Sequence, residues 1–368
     1  MTRKKNGPAP RALRQRLLRW FDRNKRDMPW RGTKDPYRVW LSEIMLQQTR
    51  VPVVVPYYQR FLQAYPTVKK LARAKSVLRL WAGLGYYQRA RNLHRAAKEI
   101  VRKHGGRFPK RLDDALALPG IGPYTARAIL SIAYGQPVAV VDGNVARVLV
   151  RLFCLTEAEV DNRPVLQPLA ERLVSRRRPG DFNQTLMELG STICLPKIPR
   201  CRLCPLERLC AARQAGVEKK IPRRQKKRPR PRLELKVFVI KREEKVLLVR
   251  EAGGYFSGLW HFPYTTGRNK SGIRANGYEI GTGAGRRVAT VEHTTTMRDL
   301  VLRVYQSPVR AGNRRTVPES NHPTRWVQLN RVQRLGVGAA TRKIAALLQE
   351  RGRKQHREGA TGRERPAS

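Results

Sequence analysis

Acidic side chains are scarce in this chain. Of 368 residues only 27 are Asp or Glu, against 77 Lys or Arg, for a formal charge of +50. Such a field attracts polyanions and makes nucleic acid the leading partner class, although a basic proteome or a merely soluble surface would share the charge. Long apolar runs are missing too. None approaches the roughly 18 residues of a membrane span, and the opening MTRKKNGPAPR is basic without an apolar h-region, so neither insertion nor export is expected. Cysteine is sparse: five residues, four of them clustered, suit a reducing compartment with a metal site rather than a disulfide framework. What remains is length enough for about two domains with their own cores, and no internal repeat.

Residues 1–10 read as a disordered basic arm. Leu13, Leu17, Leu18, Trp20 and Phe21 predict a helix over 11–21 packed by one face. Prolines then mark loop geometry at Met28-Pro29-Trp30-Arg31 and Asp35-Pro36-Tyr37. Residues 40–49, WLSEIMLQQT, read as a helix whose apolar members surround Glu43. A lone helical glutamate is usually a solvated surface residue. Among bulky neighbours its neutral form gains, which moves it toward general-acid service. Short helices follow to about residue 104. They pass Gly83-Leu84-Gly85-Tyr86-Tyr87, where the spacing suits either a stacking ring or two ordinary tyrosines. Asp113 or Asp114 is expected to cap the helix leading into Leu118.

Residues 118–148, LPGIGPYTARAILSIAYGQPVAVVDGNVARV, carry the densest signal. A turn with Gly120 and Gly122 opening a helix presents backbone N–H groups able to hold a phosphate. Downstream, Asp142-Gly143-Asn144-Val145 puts one carboxylate where another helix starts, and the helix dipole there favours an ionised group. Most Asp residues at such positions are plain N-caps. An ionised Asp beside a deoxyribose, paired with a protonated Glu, would instead be a glycosidic-bond site.

Cys194-x6-Cys201-x2-Cys204-x5-Cys210 can enclose a metal centre. Zinc is the generic occupant of four cysteines but usually takes two CxxC pairs, and only one is present. Cys154, in RLFCL, reads as buried apolar filler. Residues 219–232, KKIPRRQKKRPRPR, form a basic Pro-rich linker. Beyond it, alternating Leu233, Leu235, Val237 and Val239 and the run 245–249 predict paired strands. A second pair is expected near 287–292 and 300–306, then Trp326-Val327, a final helix over about 339–350 and a disordered charged tail, 351–368.

Leu118, Pro119, Gly120, Gly122, Thr125 and Ala126 match the LPGxGxxTA pattern of the helix-hairpin-helix. Together with Pro29-Trp30-Arg31, SEIMLQQT, VDGNV, FNQTLMELG and the four cysteines, in this order and over nearly the whole length, the chain resembles the adenine DNA glycosylases of the MutY family. The six-two-five cysteine spacing resembles the iron–sulfur loop of the endonuclease III superfamily. The resemblance implies a multidomain α + (α+β) fold. An all-α helix-hairpin-helix glycosylase core over 11–218, with the loop at 194–210, would precede a Nudix-like α+β domain over 233–350. It implies a monofunctional adenine DNA glycosylase of base excision repair. Such an enzyme flips adenine mispaired with 8-oxoguanine or guanine out of double-stranded DNA, as glycosylases do as a class. A monomer without membrane partners, cytoplasmic and nucleoid-associated, is expected.

The resemblance also implies roles. Cys194, Cys201, Cys204 and Cys210 would hold a [4Fe–4S] cluster. Glu43 would protonate adenine N7 and Asp142 would stabilise the oxocarbenium-like sugar. Tyr124 and Asn144 would orient Asp142, with Glu188 assisting near the flipped base. Trp30, Arg31, Leu46 and Val51 would line the adenine pocket, Gln48 and Tyr87 would wedge into the duplex, and Gly120 and Gly122 would hold backbone. Bifunctional relatives carry a lysine where this chain has Tyr124, and a phenol forms no Schiff base, so strong AP-lyase activity is not expected. One departure stands out. Where the family reads 8-oxoguanine with Phe-Ser-His, this chain has Thr295-Thr296-Met297, and only Thr296 keeps the hydroxyl. Reduced preference for 8-oxoguanine over guanine follows. The second domain lacks the glutamate-rich helix of Nudix hydrolases, so nucleotide hydrolysis is not expected. Two rivals remain: a thymine-DNA mismatch glycosylase of the same superfamily, and a non-catalytic DNA-binding protein in which Asp142 is only a cap.

Overall fold

The structure, a computed structural model of the full chain, describes residues 9–156, 165–223, 229–251, 253–266, 273–275, 278–280, 285–295, 297–308 and 323–361. The basic arm to residue 8, linker residues 224–228, Thr296 and residues 362–368 of the tail lie outside the described residues. The chain divides into two compact units, residues 1–75 with 88–226, and residues 76–87 with 227–368.

The first unit is helical. Helix α1 (Pro10–Asn24) opens on a proline, whose missing N–H costs nothing there, and buries Leu13, Leu17 and Phe21 along one stripe. Helix α2 (Pro36–Leu46) begins earlier and ends sooner than the sequence suggests. The Asp35 side chain accepts from the Tyr37 N–H at 2.8 Å, and Pro36 suits the first helical position, so this proline starts a helix rather than a loop. At the far end, Arg89 Nη1 donates to the carbonyls of Ile44 (2.9 Å) and Met45 (2.8 Å). That cation also complements the helix dipole. Gln48 follows in a turn with φ +55°.

Helices α3 (Val51–Ala64) and α4 (Val68–Ala72) come next, and α5 (Val77–Trp81) belongs to the second unit. After α6 (Tyr87–His104), helix α7 (Leu112–Leu116) carries Asp113 and Asp114 inside its first turn, with Arg111 at the N-cap. Neither aspartate caps; both sit where the dipole favours them. The glycine turn then leads into α8 (Pro123–Tyr134). Gly120 has φ +77°, and a Cβ there would lie 2.6 Å from Asn92 Cβ, so backbone and neighbour both demand glycine.

Helix α9 (Gly143–Phe153) starts on Asp142 and ends on Cys154 in the left-handed region, φ +51°. This cysteine is half-buried at a helix end, not the buried filler expected. Helices α10 (Leu166–Leu173) and α11 (Pro179–Thr192) complete the frame around α9. A Cβ on Gly190 would meet Asn144 Cβ at 2.7 Å, so glycine lets α11 lie close against α9. Buried Asn183 donates to Ser131 Oγ and the Val138 carbonyl, both at 2.9 Å, and accepts from the Val140 N–H at 3.1 Å. It ties α11 to α8 and to the extended segment that delivers Asp142. Val145, Leu149, Phe182, Leu186 and Leu189 pack with Leu13 and Leu17 in one core. Each such burial stabilises by about 1.5–3 kcal/mol.

The second unit is built on a mixed sheet. Strands β1 (Arg232–Arg242) and β2 (Lys245–Arg250) pair antiparallel, as their alternation predicts. Short strands β3 (Trp260–His261) and β4 (Tyr264–Thr265) and a separate pair, β5 (Ile273–Ala275) with β6 (Tyr278–Ile280), precede β7 (Arg286–Thr294), β8 (Asp299–Pro308) and β9 (Thr324–Gln328). The order is β3-β2-β1-β8-β7, with β4 on β1 and β9 on β2. Strands β7 and β8 are antiparallel, while β1 and β8 run parallel with Val237 opposite Val304. Leu235, Val237, Val239, Val246, Leu248, Leu302 and Val304 form a core with Ile344 and Leu348 of α12, which follows the short helix Ala211–Gln214 of the first unit and here denotes Ala339–Thr361. This last helix continues past the expected end at residue 350. Its extension is rich in Arg, Lys, Gln and Glu, all good helix formers.

Candidate active site

A cavity of about 650 Å³ opens in the first unit beside α2, α8, α9 and α11. Its wall brings together Trp30, Arg31, Glu43, Leu46, Gln48, Val51, Tyr124, Asp142, Asn144 and Glu188. Glu43 is carried in by α2 and is only 7 % exposed. Burial pushes its carboxyl up to about 7; the Tyr124 hydroxyl bond and Arg31 pull the other way, and the charge of Asp142 adds to the rise. Near neutrality, protonated and ionised forms are therefore both populated.

Tyr124 sits in the first turn of α8, which packs on α2. Its hydroxyl lies 2.8 Å from Glu43 Oε2 and 3.3 Å from Met187 Sδ. Its hydrogen-bonded carboxyl is thus Glu43 rather than the expected Asp142, because the helix–helix packing turns the ring toward α2. Burial first, then the charges of Glu43 and Asp142, raise the phenol well above its ordinary range, so it keeps its proton.

Asp142 is an N-cap by geometry: Oδ1 accepts from the Val145 N–H at 2.6 Å. Its other oxygen accepts from Asn144 Nδ2 at 3.2 Å. Capping and a place on the cavity wall coexist. Asn144 is itself held by Arg147, whose Nη2 donates to Asn144 Oδ1 (2.8 Å) and the Gly190 carbonyl (2.7 Å).

Glu188 is buried between two guanidinium groups, Arg26 at 2.5 Å and Arg31 at 2.9 Å. Burial alone would raise its pKa; the hydrogen bonds and charges of Arg26 and Arg31 outweigh it and hold the carboxyl below the ordinary value. Arg31 also lies over the Phe21 ring, 5.0 Å from its centroid, and its Nε and Nη1 are buried without a hydrogen-bond partner among the described residues. Trp30 meets Tyr58 edge-on at 5.2 Å.

Three residues are expected at the DNA backbone and the duplex gap rather than in the base cavity. Gly120, Gly122 and Tyr87 are not on the cavity wall. Within the second unit Tyr87 donates to the Val337 carbonyl at 3.0 Å, and the exposed ring of the tyrosine pair is Tyr86, with φ +50°. Arg26, Gln47, Gln184, Met187 and Ser191 line the cavity without having been foreseen. Gln184, Met187 and Glu188 of FNQTLMELG and the Ser191 that follows recur at three- and four-residue spacing, so one helix face was legible there. Arg26 carries no local signal.

A second, smaller cavity is lined by all four clustered cysteines with Arg151, Ile193 and Pro199. Cys201 opens a 3₁₀ turn (Cys201–Leu203) that Cys204 closes, and Cys210 closes another (Glu207–Leu209). Burial pushes the Cys204 thiol up to about 12 and also raises Cys201 and Cys210. Thiols so placed ionise only beside positive charge, which a bound metal centre provides. Buried Arg151, which carries no local signal in the sequence, donates to Cys194 Sγ (3.3 Å) and to the carbonyls of Leu195 (2.7 Å) and Ile221 (2.8 Å). Among the described residues no three His, Cys, Asp or Glu side chains are placed to hold one metal ion. No helix among them is long and apolar enough to cross a membrane.

Comparison with known proteins places this geometry. The family described as HhH-GPD superfamily base excision DNA repair protein matches residues 41–172, and the NUDIX domain matches residues 236–347. Both agree with the helical core and the mixed-sheet domain. The adenine DNA glycosylase of Homo sapiens is 35% identical over 414 residues, covering 92% of this chain and 74% of that protein. That of Buchnera aphidicola subsp. Acyrthosiphon pisum is 32% identical over 336 residues, covering 90% and 95%. Among solved structures, a thermostable thymine-DNA glycosylase is similar with a TM-score of 0.53 and 31% identity, over 56% of this chain and 97% of that one. By these matches, which cover nine tenths of the chain, it belongs to the adenine DNA glycosylase family.

Proposed function

We propose that this chain hydrolyses the glycosidic bond of adenine mispaired with 8-oxoguanine or guanine in double-stranded DNA and leaves the strand uncut. One observation carries the reading. A single cavity holds a buried carboxyl, Glu43, whose protonated form is still populated near neutrality, and a second, Asp142, fixed by a helix N-terminus and Asn144. That is the division of labour a glycosidic bond needs. Glu43 gives its proton to the departing base. The Asp142 carboxylate faces the cationic sugar as the bond breaks, and water completes the hydrolysis. The unpartnered Nε and Nη1 of Arg31 are donors for ring nitrogens of the base. A cavity near 650 Å³ is of the size that takes a small ligand, roughly 300–1,000 Å³.

The base reaches such a cavity only by extrusion from the stack. Gln48 at the cavity rim is the group we assign to filling the gap, with the Gly120–Gly122 turn on the backbone. The charge of +50 supports tight, salt-sensitive binding. Cys194, Cys201, Cys204 and Cys210, which line one cavity, would hold a [4Fe–4S] cluster. When bound, the cluster supplies a cross-link for the loop and a one-electron redox centre. Thr295 and Met297 in place of Phe and His support a reduced advantage of 8-oxoguanine over guanine. Thymine release is the second reading, favoured only by the structural likeness of the first unit.

Single-turnover base release from duplexes with adenine opposite 8-oxoguanine, guanine or cytosine, and from a guanine:thymine duplex, tests the reading. Adenine release opposite 8-oxoguanine and guanine is expected, with Asp142→Asn binding but not releasing. Thymine release, or adenine release undiminished in Asp142→Asn, overturns it.

A further inference from the structure

Tyr124 has one hydroxyl proton and two acceptors within reach. Its oxygen lies 2.8 Å from Glu43 Oε2 and 3.3 Å from Met187 Sδ. A phenol donates one hydrogen bond and accepts others, so both contacts cannot be donated together. Glu43 decides which is made. As a carboxylate it is acceptor-only and takes the Tyr124 proton. As a neutral acid it can donate its own O–H to the phenolic oxygen, which frees the Tyr124 proton to point at the thioether, a weak acceptor. Tyr124 cannot escape the choice by ionising, since burial and two neighbouring carboxylates raise it well above its ordinary range.

We propose that Met187 is a positioning residue for the general acid: its sulfur receives the Tyr124 proton whenever Glu43 is protonated, and so stabilises the neutral acid in the resting site. The proton balance closes without any other group. On reaction the Glu43 O–H turns away from the Tyr124 oxygen and its proton passes to the base nitrogen, while the Tyr124 hydroxyl turns from Met187 Sδ back to Glu43 Oε2, where it stabilises the new carboxylate. The charged groups facing Glu43 are Arg31 from the segment before α2 and Asp142 from the cap of α9, with Glu188 of α11 on the same wall paired to Arg26 and Arg31. All act through charge. Met187 acts instead by accepting a hydrogen bond.

The proposal rests on Glu43 being the acid, and the test separates the two ideas. Single-turnover base release is followed against pH for wild type, Met187→Leu, Tyr124→Phe, the double variant and Glu43→Gln. Leucine conserves volume but accepts no hydrogen bond. Because the acid must be protonated, the rate falls as pH rises through its apparent pKa. Removing an acceptor that favours the neutral form should move that limb down by about half a pH unit. In the Tyr124→Phe background Met187→Leu should not move it. An unmoved limb, a uniform loss of rate at every pH, or an equal shift in both backgrounds overturns the proposal. If Glu43→Gln keeps the wild-type limb, the acid assignment itself falls, and the proposal with it.

Discussion

Arg147 and Asn144 are joined by a 2.8 Å hydrogen bond from Nη2 to Oδ1. Through it the Asp142 carboxylate, held by Asn144, connects to the cysteine loop, because Arg147 Nε donates to the Cys194 carbonyl at 2.8 Å. Replacing Arg147 by lysine keeps the charge but loses the fork that spans Asn144, Gly190 and Cys194. Base release by Arg147→Lys should fall roughly tenfold to a hundredfold, the scale of a small misplacement of a reacting group. Duplex affinity should stay near wild type. Single-turnover kinetics beside equilibrium binding at one salt concentration check both.

Glu43 makes stability depend on pH. Its folded pKa, about 7, lies above the ordinary 4.5, so the native state binds the proton more firmly than the unfolded chain does. The contribution is fully present below pH 4.5 and is lost as pH rises to about 7. Glu43→Gln abolishes this titration. The variant should be more stable than wild type at pH 8, by on the order of 3 kcal/mol, with a gap that narrows toward pH 4. Denaturant unfolding at the two pH values measures it. Catalysis should be lost in the same variant.

Glu188 and Arg31 form a buried pair, with the Glu188 side chain 3% and the Arg31 side chain 10% exposed. Glu188→Gln leaves the Arg31 charge without its partner and should destabilise by about 3 kcal/mol or more. The Arg26 side chain is 44% exposed, and its bond adds little to that sum. The depressed pKa of Glu188 gives stability present above the unfolded value and lost on acidification. Urea midpoints of the variant and wild type at pH 7 and pH 3.5 should therefore converge at the lower pH.

Tyr124 offers no amine to the sugar. Purified protein should leave abasic strands intact until alkali is added, and borohydride should trap no covalent complex. Tyr124→Phe should share this behaviour while losing base-release rate, since the Glu43 bond at 2.8 Å goes with the hydroxyl. Denaturing gels with and without alkali decide it.

The sequence by itself determined what depends on near neighbours in the chain. The stripe of Leu13, Leu17 and Phe21, the positive φ of Gly120, the N-cap at Asp142 and the alternation of β1 are consequences of period and backbone preference. The motifs also marked most of the cavity wall. Tertiary structure alone decided which of two partners Tyr124 would hold, which of Tyr86 and Tyr87 would face outward, and that β8 would run parallel to β1. It also decided that Pro36 would open a helix already capped by Asp35, and that Arg151 would be buried against Cys194. Except for the Asp35 cap, which is local, the deciding energy comes from burial and hydrogen bonding between segments far apart in the chain, and no window along the sequence contains both partners.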